Sequence, residues 1–327
     1  MRIAIPLTVL ATALACSLAT APAHARARVF VASYGNDANP CTFGSPCKTF
    51  QQAVNVVDAG GEVTAIDSAG FGPINITKAV TITSPDGVEA GIVPSPGGDA
   101  IDINAGANDV VVLRGLTLNG ANTAYNGIVF NSGASLLVSN CVVQDFVTDG
   151  INLNTGNGIL ITLTAGTDLF TITDTTVAND FVGIQYLPRG TATVNGVISH
   201  VNATNNQARG IMIGGGTATG GSEAVTISDS VASNNRSIGI SADINPGSTT
   251  VKLLIDNVTA SGNGAGIEVT GTTNMNVLLG RSFITGNSVG IQNNTSNTFY
   301  TYQNNQIDLN DGDDINGAAL NKTKVLQ

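Results

Sequence analysis

The sequence predicts an all-β chain wound into a right-handed single-stranded parallel β-helix, a solenoid of about ten three-strand coils with a short N-terminal capping helix. Three observations predict it. Of 327 residues 39 are Gly, none is Trp and 11% are charged, a composition too uncharged for disorder and too rich in Gly for a helical protein. Second, the dipeptide Gly-Ile recurs at Gly127, Gly150, Gly183, Gly210, Gly239, Gly266 and Gly290, at spacings of 23, 33, 27, 29, 27 and 24 residues. Third, polar turn residues align in the same period, at Asn140, Asp174, His200, Asp229, Asn257, Arg281 and Asn304. Six positions after them stand Asp180, Asn206, Asn235, Asn263, Asn287 and Asn310.

Such columns have a physical cause. In a β-helix the same turn of successive coils stacks at the strand spacing of about 4.8 Å. Asn suits the turn because its amide both donates and accepts along the stack and tolerates left-handed backbone, so an asparagine ladder is expected. The aliphatic column Val143, Val177, Ala203, Ala232, Ala260, Ile284 and Ile307 would fill the interior beside the Ile of each Gly-Ile pair.

The elements follow in order. Residues 1–25 open with Arg2, run apolar from Ile3 to Ala19 and end at Ala23-His24-Ala25, which reads as a cleavable secretory signal. A lipoprotein reading of Cys16 fits less well, because the Leu stands two rather than three residues before it. Residues 26–62 form an N-terminal cap, with Cys41 and Cys47 in a Pro- and Gly-containing loop. In an exported chain that pair reads as a disulfide; a zinc site is the rival, but no His or second Cys pair lies nearby. Helical spacing of Phe50, Ala53, Val54 and Val57 predicts a capping helix over 48–59, ending at Gly60-Gly61. The solenoid is expected over 63–315, beginning with strands at Val63–Ile66, Ile74–Ile76 and Val80–Ile82, and a polar tail over 316–327. Its irregular loops, Leu187–Thr193, Gly214–Ser222 and Asp243–Thr250, fall at one corner, where they would rim a groove.

The opening Val31-Ala32-Ser33-Tyr34-Gly35-Asn36-Asp37-Ala38-Asn39, with Pro46, Lys48-Thr49-Phe50, Ala53, Gly60-Gly61 and Ile74 to Ile82, resembles exported bacterial members of the pectate-lyase-like β-helix superfamily. The resemblance implies the fold. It implies no single activity, because the superfamily includes lyases, hydrolases, esterases, epimerases and proteins without known chemistry.

Composition narrows the partners. The net charge of −10 becomes −11 once residues 1–25, with Arg2 and no acid, are removed. Such a chain repels nucleic acid and anionic lipid, and no later segment is apolar for long enough to insert in a membrane. A monomer meeting an extracellular glycan or another surface molecule is the expectation, in the periplasm or outside the cell. Two alternatives stay open: a polysaccharide lyase or glycoside hydrolase acting beside the Gly-Ile strands, and a structural or adhesin-like module.

Chemistry is sparse. Alternation turns Val129, Asn152, Gln185, Met212, Ser241, Glu268 and Gln292 outward on the Gly-Ile strands, and only Glu268 is ionisable. Asp243 and Glu268, flanked by Arg209 and Arg236, form the candidate catalytic cluster; a solvated ion-pair patch is the alternative. No lyase, polygalacturonase or pectin-esterase signature is intact, and His200 falls in the turn column. Asp311, Asp313 and Asp314 are candidate Ca2+ ligands, against the alternative of a solvated last turn, since neither the EF-hand nor the glycine-rich nonapeptide spacing is met. No other cofactor is indicated.

Overall fold

The computed structural model describes residues 26–322 except 153, 188, 215, 245–249, 272–274 and 296–298; the expected signal over 1–25 lies outside them. Among the described residues the chain is a right-handed parallel β-helix with three long sheets, and Arg189–Gly190 pairs with Thr217–Ala218 as a fourth, two-stranded one at the corner loops. A twelve-stranded sheet runs from Arg28–Val31 to Asn321–Lys322, and a ten-stranded sheet carrying the Gly-Ile pairs runs from Ile74–Ile76 to Ile315–Gly317. The third sheet has ten strands of two to four residues, from Ala69–Gly70 to Gln306–Ile307. Each coil visits them in the order twelve-stranded, short-stranded, Gly-Ile, as in Thr250–Asp256, Thr259–Ser261 and Ala265–Gly271.

The aliphatic column stacks as its period requires, with Val143, Val177, Ala203, Ala232, Ala260 and Ile284 in register and buried. Gly at the Gly-Ile positions has a steric cause: a Cβ on Gly183 would lie 2.6 Å from the Gly210 carbonyl oxygen and 2.9 Å from Asn206 Nδ2. The repeat is set one loop too early in the second coil. Ile151 is 90% exposed, and the core position belongs to Ile159, paired with Ile128 and Ile184. The Asp149 carboxylate accepts from the N–H groups of Ile151 and Asn152, closing a local turn that carries the first Gly-Ile pair out of the coil. Leu160, not Asn152, therefore holds the outward position.

Both turns of the short-stranded sheet use left-handed backbone, at φ 50–53° for Asn140, Asp174, His200, Asp229 and Asn257 and 55–65° for Asp145, Asn179, Asn205 and Asn234. Beside the second turn, Asn206, Asn235, Asn263 and Asn287 each pass an amide hydrogen bond to the next coil, at 2.9, 3.1, 2.9 and 3.0 Å. Their remaining N–H reaches a carbonyl of the preceding coil at Val177, Ala203, Ala232 and Ala260. These buried amides are thus satisfied on both sides.

At the N-terminal end the helix spans Phe50–Val56, shorter than the expected 48–59. Thr49 caps it by accepting from Gln52 N–H, and Val57 is already extended. Phe50, Ala53, Val54 and Val57 are buried, with Phe50 against Phe71. Cys41 and Cys47 form a disulfide. The expected tail from Asn316 instead contributes strands: Asn316 pairs with Gln292, and Asn321 with Tyr300.

Candidate functional site

The Gly-Ile sheet brings the sequence candidates to one face without joining them. Ser241 and Glu268 are register partners, and Asp243 stands two positions along, beside Thr270. Arg209 Nη1 donates to the Met212 thioether at 3.5 Å rather than to a carboxylate, while Arg236 projects from an exposed turn. Among the described residues the ion pairs are Arg28–Glu62 and Arg281–Asp256, so neither Asp243 nor Glu268 is paired with a cation. The face itself is partly closed. Leu187 folds back onto Val129 and Leu160 as a small apolar cluster, and Gln185 and Ser241 are each 1% exposed.

Two acids on this face escaped the sequence reading. Asp102 occupies the outward position in line with Val129, and burial, then the charge of Asp99, pushes its carboxyl up to about 6. Asp99 is also raised by burial, against a 2.8 Å bond accepted from Asn126 Nδ2. Their column was legible; their partial burial was not.

The acidic run of Asp311, Asp313 and Asp314 lies at the last coil. Asp314 Oδ1 accepts from Asn310 Nδ2 at 2.8 Å and Asp313 Oδ2 from Asn316 Nδ2 at 3.0 Å. Among the described residues no group of three or more His, Cys, Asp or Glu side chains is placed to hold a metal ion.

A second group of acids lies inside the solenoid. Asp168 and Glu223 take inward positions at the start of their strands, in the register column Asp168, Val194, Glu223, Val251, Met275. Asp168 is 5% and Glu223 2% exposed, and Tyr186, 1% exposed, comes from the facing Gly-Ile sheet. Burial pushes Glu223 up to about 7, and both of its carboxylate oxygens are buried without a hydrogen-bond partner among the described residues. Tyr186 is raised by burial and by the charges of Glu223 and Asp168. Sealed from solvent, this group bears on stability rather than on a substrate.

Open space suited to a ligand lies elsewhere. A shallow trough of about 600 Å3 crosses the outer face of the twelve-stranded sheet, lined by Thr226, Lys252, Leu254, Asn276, Leu278 and Tyr300. Strand alternation produces it: in Thr250–Asp256 the inward Val251, Leu253 and Ile255 are buried, leaving Lys252 and Leu254 outside. Smaller hollows lie at Gln51, Asn75 and Lys78, about 260 Å3, and at Asn154, Leu187, Arg189 and Thr217, about 300 Å3. The corner loops were expected to rim a groove beside the Gly-Ile strands; the hollow at Asn154, Leu187, Arg189 and Thr217 lies at that corner, and the trough lies across the sheet that follows those loops.

No family model matches the sequence, and no curated protein matches it significantly. Solved structures do. XylC in complex with xylose gives a TM-score of 0.50 at 9% identity, over 82% of this chain and 70% of that one. Pectate lyase Pel9A gives 0.45 at 16%, over 81% and 67%, and a rhamnogalacturonan lyase 0.41 at 12%, over 80% and 75%. The likeness is one of fold alone: a parallel β-helix.

Proposed function

We propose that this protein is an exported polysaccharide-binding β-helix that holds its ligand in the trough on the twelve-stranded sheet. The trough is the observation that carries the reading: a ring to stack on sugar C–H faces at Tyr300, apolar walls at Leu254 and Leu278, and polar groups at Lys252, Asn276 and Thr226 to meet hydroxyls. A solenoid also suits a polymer, because its surface repeats with every coil. Export is supported by the signal-like N-terminus and by the Cys41–Cys47 disulfide, which belongs in an oxidising compartment. The xylose in XylC belongs to that protein; the reading here rests on the trough.

The test is affinity electrophoresis of the full chain through gels containing a panel of soluble polysaccharides. At least one polymer should retard the wild type, and Tyr300→Ala should weaken that interaction by about tenfold. Retardation by no polymer, or retardation indifferent to Tyr300→Ala, refutes the proposal.

A further inference from the structure

The trough is the end of a longer feature. Its central column continues in unbroken register along the outer face of the twelve-stranded sheet, from Tyr300 through Leu278, Leu254, Thr226, Val197, Thr171 and Leu137 to Val112. No member is charged, and the two threonines still present methyl groups. Val197 is 40% exposed, and the flanking Val110 and Leu169 are 49% and 48% exposed. Single exposed apolar side chains are ordinary; a row in register in which Val112, Leu137, Leu254, Leu278 and Tyr300 are half-buried and Val197 is exposed is not.

From this row we infer that the ligand is a linear, uncharged polysaccharide carrying apolar substituents such as O-methyl, O-acetyl or deoxy positions, lying along the solenoid axis over all eight coils. The inference rests on the polysaccharide-binding reading and adds to it a footprint and a chemical class.

Shape is the first argument. Eight coils at the parallel strand spacing make a stripe about 34 Å long, and three residues of strand make it about 10 Å wide. That is about 340 Å2, under half of the roughly 800 Å2 per partner that a stable protein interface needs. A second copy of this chain, itself at −10, is therefore a poor occupant. A polymer chain one sugar wide fits the stripe and gains contact with each added residue.

Charge is the second. The cation bordering the trough is Lys252; on the opposite flank lie Arg114, which forms no ion pair among the described residues, and Asp256, engaged by Arg281. A polyuronate laid along this row would set carboxylates against Val, Leu and Thr side chains, losing their water without gaining partners, on a chain that already repels anions. Methyl or acetyl groups would instead cover the exposed Val110, Leu169 and Val197.

The test uses three polymers on one backbone: methylcellulose, hydroxyethylcellulose and carboxymethylcellulose, titrated against the full chain by isothermal calorimetry. Methylcellulose should bind at least about tenfold more tightly than carboxymethylcellulose, with hydroxyethylcellulose between them. Val197→Asp lies four coils from Tyr300 and outside the trough; it should weaken methylcellulose binding by about tenfold. Val197→Ser keeps the face uncharged and should cost less, with both variants checked for an unchanged melting temperature. Equal or tighter binding of carboxymethylcellulose overturns the inference. So does methylcellulose binding indifferent to Val197→Asp in a folded protein. Tyr300-dependent binding of some other polymer, with none of these three bound, keeps the binding function and overturns the assigned class; loss of all glycan binding overturns both.

Discussion

Glu223 shows how one side chain can set the pH response of the whole molecule. Its carboxyl lies inside the solenoid, in line with Val194 and Val251, and burial against Tyr186 pushes it up to about 7. Asp168, two coils away in the same column, is raised for the same reason. A carboxyl raised in the folded state binds its proton more tightly there than in the unfolded chain. Its stabilising effect is therefore full below the ordinary Glu range and declines as pH rises to the folded value. The decline attributable to Glu223 is on the order of 3 kcal/mol between about pH 4.5 and 7. Urea unfolding at pH 5 and pH 8 checks it: the wild type should be the less stable at pH 8, and Glu223→Gln should shrink that difference by about 2–3 kcal/mol, leaving the shares of other raised carboxyls such as Asp102 and Asp180. An unchanged difference would show that the carboxyl is not the source. The residue and its direction were both present in the sequence, but the depth of its burial was not. Residues 222–228 alternate, and Glu223 shares the inner side with Val225 and Ile227, a placement the sequence reading passed over because an acid is not expected among them.

At the scale of an element, the column of side chains beside the second turn is satisfied by amides and begins with an acid. Asn206, Asn235, Asn263 and Asn287 each use their N–H groups in both directions along the stack. Asp180 accepts from Phe146 N–H through Oδ1, while its Oδ2 is buried and unpartnered among the described residues. A carboxylate there has nothing to donate, and burial, with the charge of Asp145, raises its carboxyl well above the ordinary range. Asp180→Asn should therefore stabilise the protein at neutral pH by about 1–3 kcal/mol. The gain should shrink toward pH 4, where the unfolded chain also begins to take up the proton. A chemical-denaturation series over pH 4–8 decides it; a gain constant with pH contradicts the account. The six-residue offset after the turn residues made this column legible in the sequence. The same kind of reading misplaced Gly150, because spacing cannot distinguish two Gly-Ile pairs eight residues apart until the local turn at Asp149 is known. It also missed the last strands, whose polar residues Asn316 and Asn321 pair through backbone rather than by burial.

For the molecule as a whole, the same regularity that made the fold legible concealed the binding face. Gly, Asn and inward aliphatic columns repeat because each is fixed by the coil above and below. The outer row from Val112 to Tyr300 is set by no such constraint, and it becomes one surface only when eight separate strands are laid in register. Coils that touch only their neighbours should unfold as a chain of coupled units, with cooperativity limited by the weakest junction. Asn263 lies at such a junction: it donates to Ala232 and Asn287 and accepts from Asn235. Asn263→Ala removes all of these at once and leaves the Asn235 backbone N–H and one of its two side-chain N–H groups unpaired in the interior, a loss of about 3–5 kcal/mol concentrated between two coils. Thermal unfolding followed by hydrogen exchange should then show the coils after residue 263 opening at a lower temperature than those before residue 235. If both halves still open together, the amide column is not what couples them, and the aliphatic interior carries the cooperativity alone.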